Sequence, residues 1–165
     1  MAYAGAFCLL QTYKMEKISS DYRLMEYQNE LLEATQNSNS VNNLFTSKLT
    51  DLKRAQAVAL NAQGSSNSDE KDIKRVLENV NGKSEDFNFS SSSIDALLKD
   101  IEVEMDAVAE EQEKALSEIS ADEQVWNNKV SNEQANNALL QTNIENCQQM
   151  LESNIQQSHT YGYTN

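Results

Sequence analysis

Apolar side chains recur every three or four residues along most of this chain. From Cys8 the spacing reads Cys8, Gln11, Met15, Ile18, Tyr22, Met25, Asn29, Leu32, a heptad seam diluted by Gln11 and Asn29. Val41, Phe45, Leu49, Leu52, Ala55 and Ala59 continue it less cleanly. Between the two runs lies Gln36–Ser40, a patch of poor helix formers and a candidate break. A short amphipathic helix is predicted over 69–81, with Ile73, Val76, Leu77 and Val80 on one stripe. Ser68 is placed to cap it, acidic residues fill its first turn, and Gly82 follows its end. Another long seam runs Ile94, Leu98, Ile101, Met105, Val108, Gln112, Ala115, Ile119, Asp122, Trp126. After Trp126 the spacing slips by a four-residue step and resumes as Val130, Glu133, Asn137, Leu140, Ile144, Cys147, Leu151. Such a stutter locally unwinds a supercoil. Ser92 and Asp95 form a capping-box pattern at the start of this segment.

These elements predict an all-α fold. The arms, 6–63 and 94–158, are nearly equal in length and flank a turn region, 64–93, that contains the short helix; 159–165 is a frayed tail. The chain has no proline and only four glycines, so little interrupts either arm. At about 1.5 Å per residue the second arm would span roughly 95–100 Å. The expected architecture is therefore one elongated domain, an antiparallel helical hairpin or coiled coil with a short helix at its turn. Setting Gln63 against Ile94 makes the numbers of facing residues add to about 157. Trp126 then meets Leu31 and Leu32, Phe45 meets Gln112, and Cys147 comes close to Cys8. The residues assigned to the seam are Met15, Ile18, Met25, Leu32, Leu98, Ile101, Met105, Trp126, Leu140, Ile144 and Leu151.

Charge narrows the function classes. Thirteen Lys and Arg stand against 26 Asp and Glu, a formal charge of −13. Nucleic acid is excluded as a partner, because its binders need a basic face. Residues 95–123 hold eleven acids and two lysines, while their expected partner, 34–62, is net basic by only two charges. Glu102, Glu104, Asp106, Glu110, Glu111 and Glu113 thus form an acidic flank. Its spacing mimics a calcium loop, but Ala107 takes the place of the required glycine. On a helix those carboxylates point in different directions, which favours a solvated face over an ion site.

Catalytic and cofactor chemistry finds little material. A di-iron or di-manganese bundle site needs Glu-x-x-His pairs, whereas the sole histidine, His159, follows Gln156 at that spacing. Cys8 and Cys147 are too far apart in sequence for zinc-type spacing and lie on apolar seams. They are read as buried thiols or an occasional bridge, the two being brought near by the register. No nucleophile elbow or phosphate-binding glycine loop occurs. The reading is of a non-enzyme with no cofactor and no metal. Trp126, the only tryptophan, is either a filler at the stutter or an anchor for a partner.

The longest apolar run, Ala4–Leu10, is well short of the roughly 20 residues of a membrane span. It also lacks a basic start, so no cleavable signal peptide is expected. That leaves the cytoplasm, or export by a route that needs no such signal. Leu9, Leu24, Leu31, Leu60, Leu97, Val103, Leu116 and Leu139 lie off the main seam, and association of copies would bury them. The arm Phe7–Gln63, the Ser-rich middle Gly64–Ser93 and the Asn/Gln-rich arm Val130–Gln157 together resemble the layout of type III secretion filament and flagellin-like subunits. That resemblance implies self-assembly into an extracellular filament and transfers no site residue. The expected function is helix-mediated self-assembly as a coiled-coil structural protein, such as a filament or appendage subunit. The rival is an acidic helical adaptor or secretion chaperone that binds a partner helix. The partner is accordingly either the chain itself or another helical protein.

Overall fold

The computed structural model describes residues 2–64, 70–82 and 86–162. They form an all-α helical hairpin of α1 (Ala2–Gln63), α2 (Glu70–Asn81) and α3 (Ile94–Gly162), with α1 packed on α3. The expected cap Ser68 lies outside the described residues.

Helix α1 is unbroken across Gln36–Ser40. The polar side chains there are accommodated within the helix: Ser40 Oγ donates to the Gln36 carbonyl at 2.9 Å. Thr12, Ser19 and Thr50 bond the carbonyl four residues back in the same way. A hydroxyl satisfied inside its own helix no longer competes for the backbone, so weak propensity does not become a break. Helix α3 continues past His159 to Gly162, into the segment read as a frayed tail. Its N-cap is Ser93, one residue beyond the expected Ser92, and Ser93 Oγ accepts from the Ala96 amide at 3.2 Å. Asp95 is not part of a capping box; it accepts from Gln63 Nε2 at 2.6 Å. Gly82 ends α2 where a Cβ would come within 2.9 Å of the Glu78 carbonyl oxygen, so the backbone there has no room for a side chain.

The packing divides into two compact units: Met1–Ala34 with Asp122–Asn165, and Thr35–Ala121. Paired helices touch only sideways, so contacts gather locally along them and do not converge on one centre.

In the unit 35–121 three helices meet. Ala55 and Ala59 of α1, Val80 of α2, and Leu97 and Ile101 of α3 form a buried cluster, with Val76, Leu77 and Phe89 packed against it. A neighbouring cluster joins Phe45 and Leu52 to Val108, covered by Phe87 and Phe89. The Ser-rich loop before α3 is pinned there. The Asn81 side chain donates to the Phe89 carbonyl and accepts from its amide, both at 2.8 Å. This two-bond clasp holds the aromatic cover in place and satisfies backbone groups that no helix serves.

In the other unit only α1 and α3 pair. Its buried apolar cluster is small, Leu10 with Ile144 and Cys147, flanked by Tyr13 and Leu151. The predicted register is close to the observed one. Ser20 meets Asn137, Arg23 meets Glu133, and, in the other unit, Gln63 meets Asp95. Local partners still differ from expectation. Trp126 packs on Tyr27, ring centroids 5.9 Å apart; of the two leucines expected opposite it, Leu31 is half-buried and Leu32 exposed. Phe45 sits with Val108, while Gln112 reaches Asn42 at 3.1 Å.

Candidate functional site

The main correction concerns which face of α1 turns inward. Met15, Ile18, Met25 and Leu32, assigned to the seam, are between 56% and 70% exposed. In this unit the inward residues are Ala6, Leu10, Tyr13, Lys17, Ser20, Leu24, Tyr27 and Leu31, all buried or half-buried at alternating spacings of three and four. The two stripes share one heptad period and lie roughly 150° apart around the helix. The two stripes are about equally apolar: the outer one contains Gln11 and Asn29, the inner one Lys17 and Ser20.

Polar matching explains the choice. α3 presents Glu133 and Asn137 at its own seam, and a buried polar group must find partners. Ser20, with 0% of its surface exposed, supplies one: Asn137 Nδ2 reaches its Oγ at 3.4 Å and also bonds the Asp21 carboxylate. Arg23 Nη2 donates to Glu133 Oε1 at 2.9 Å, and Asn136 Nδ2 donates to the same oxygen at 3.1 Å. Lys17 pairs with Asp21 at 3.1 Å. Ser20 of the inner stripe, with Asp21 and Arg23 beside it, supplies the partners that α3 requires; the outer stripe does not. This signal was present in the sequence, since the 157 register already sets Ser20 against Asn137.

These contacts shift two acids. The hydrogen bonds from Arg23 and then Ser20 hold Glu133 down to about 2 from its usual 4.5. Asp21 is lowered chiefly by Asn137 and then by Lys17. A depressed carboxyl stabilises the fold above its unfolded pKa, and that contribution is lost as pH falls from 4.5 toward 2. The Arg23 side chain is 44% exposed, so solvent screens the pair and little of the shift becomes stability. The Arg23→Ala variant is expected to be slightly less stable at pH 7 and to show a flatter stability profile between pH 4.5 and 2. Urea midpoints at pH 7 and pH 3 measure both.

The inner seam of α3 holds Ile101, Leu140 and Ile144 buried, with Leu98, Met105, Trp126 and Leu151 half-buried. Asp122 is exposed and Glu123 half-buried, so the slip in spacing comes before Trp126, at Ala115, Ile119 and Glu123. Lys129 Nζ lies 3.8 Å from the Trp126 ring centroid, which places a cation over the aromatic face. Both cysteines are free: Cys147 is buried beside Leu10, whereas Cys8 is exposed. The bridge weighed from the sequence is therefore absent, because Cys8 lies two residues from Leu10 and on another face of α1.

Glu102, Asp106, Glu110, Glu111 and Glu113 are exposed and Glu104 half-buried, all on continuous helix. Among the described residues none of them enters an ion pair, and no group of three or more His, Cys, Asp or Glu is arranged to hold a metal. No helix, among those residues, is long and apolar enough to cross a membrane. The described grooves are open. One, of about 480 Å³, is lined by Met15, Glu16, Ser19, Arg23, Asn136 and Leu140. No family model, curated protein or solved structure matches the chain.

Proposed function

We propose that this is a non-enzymatic coiled-coil protein that works by helix-mediated self-assembly, as a subunit of a filament or appendage. The observation that carries this reading is the exposed heptad stripe Met15, Ile18, Tyr22, Met25 and Leu32. Large apolar side chains repeated along one helix face are the pattern that another helix covers. The filament form rests on the layout resemblance, and closed bundles are its natural competitor.

A second reading draws on a different observation. The acids Glu102, Asp106, Glu110, Glu111 and Glu113 are exposed and outside every described ion pair, which suits an adaptor for a basic helical client.

Sedimentation velocity and light scattering across a concentration series separate the two. Growth in size with protein concentration alone is expected for self-assembly. A constant small species that enlarges only when a basic helical peptide is added would replace it with the adaptor reading.

A further inference from the structure

We propose that the outer stripe of α1 is a two-fold docking face on which a second copy of this chain lies antiparallel. This inference rests on the self-assembly reading and specifies its first contact.

The first argument is area. Phe7, Met15, Ile18, Tyr22, Met25 and Leu32 leave between 54% and 70% of their surface in solvent. Phe7 lies beside the paired stripe, opposite Glu33 of the second copy; the other five, at roughly 100 Å² each, let two copies bury on the order of 1,000 Å², the least expected of a specific interface. The stripe faces away from α3, so its docking does not disturb the Leu10, Ile144 and Cys147 cluster.

The second argument is self-complementarity. A two-fold contact must pair a patch with itself, and in an antiparallel pair the a positions of one helix face the d positions of the other. The stripe is a palindrome about Ser20. Ile18 falls opposite Tyr22 of the second copy, Met15 opposite Met25, Cys8 opposite Leu32, and Gln11 opposite Asn29. Apolar residues meet apolar residues, and the only two amides on the stripe meet each other. A polar pair at matched height keeps its hydrogen bonds and disfavours slipped registers.

The third argument is charge. In a parallel pair, Asp21 would flank Glu26 of the second copy twice over, a repulsive arrangement. In the antiparallel pair Lys14 lies beside Gln28 of the second copy, and Asp21 meets its own counterpart once, at the two-fold axis. The flanking charges thus give one acid–acid contact in the antiparallel pair against two in the parallel one.

Oxidative cross-linking tests the geometry. Cys8 is exposed and free, and position 32 lies about 36 Å from it along α1, too far for a bridge within one chain. In a Leu32→Cys, Cys147→Ala variant, the expected product is a dimer whose peptides join Cys8 to position 32. Dimers joined Cys8 to Cys8 would mean parallel pairing and would overturn the proposal. Ile18→Glu with Met25→Glu, both exposed, is expected to raise the dimer dissociation constant at least about 100-fold with helix content unchanged. Assembly that survives those changes would sink this face while leaving self-assembly standing. A wild-type chain that stays monomeric at every concentration would remove both readings together.

Discussion

Ile101→Ala is expected to destabilise the protein by roughly 3 kcal/mol, a fall of about 6–12 °C in melting temperature. Ile101 is fully buried where α1, α2 and α3 meet, in one cluster with Ala55, Ala59, Val80 and Leu97. Truncation removes the transfer free energy of its outer carbons and leaves a cavity that three helices, tied by the Asn81 clasp, cannot readily close. Val103→Ala on the same helix is the control. Val103 is exposed, and its loss is expected to stay within about 0.5 kcal/mol. Thermal melts followed by circular dichroism decide the matter. Equal losses in the two variants would mean that the inward face of α3 here has been misassigned.

Ala59→Phe acts on the same layer in the opposite direction. Ala59 has none of its surface exposed, and its small side chain is what lets α2 approach α1. A phenyl ring has no volume to occupy there, and overpacking of this kind costs about 1–3 kcal/mol. The cheapest relief is to expel α2, which at 12 residues is too short to hold helical structure alone in water. Amide exchange is therefore expected to lose protection across 71–81, with protection kept in the unit of α1 and α3 that lacks α2. Ala57→Phe, at an exposed position, should change neither stability nor exchange. Full protection of 71–81 in the Ala59→Phe variant would show that α2 does not depend on this contact.

Much of this fold was legible because long helices are written locally. A 3–4 spacing of apolar residues, no proline, and glycines clear of the arm interiors specify α1 and α3 almost residue by residue. The register followed from matching arm lengths, and Ser20 with Asn137 lies on it. The short helix was readable from Ile73, Val76, Leu77 and Val80. The break expected at Gln36–Ser40 was not there, since propensity alone does not see a hydroxyl bonding its own helix. The Asn81 clasp on Phe89 was not readable either, because nothing in the loop's composition marks which backbone groups need a partner.

For the candidate site the sequence held the right residues in the wrong role. Met15, Ile18, Met25 and Leu32 were singled out for their period and hydrophobicity, and both properties are real. What a single helix cannot state is which of two heptad stripes its neighbour will take. Over residues 6–32 of α1 the stripe of Met15, Ile18, Met25 and Leu32 stays in solvent, and the about equally apolar stripe bearing Lys17 and Ser20 goes inside.

The sequence by itself thus determined that this chain is helical, where its helices run, how they pair in register and that its acids cluster on 95–123. All of these depend on neighbours a few residues apart or on arm length. Tertiary structure decided the facing. Glu133 and Asn137 bring polar atoms to the seam of α3, and an unpaired polar atom there costs more than an exposed methionine does. Helix α1 therefore turns Ser20 and Arg23 toward them. The apolar stripe left outside is what a second chain can use.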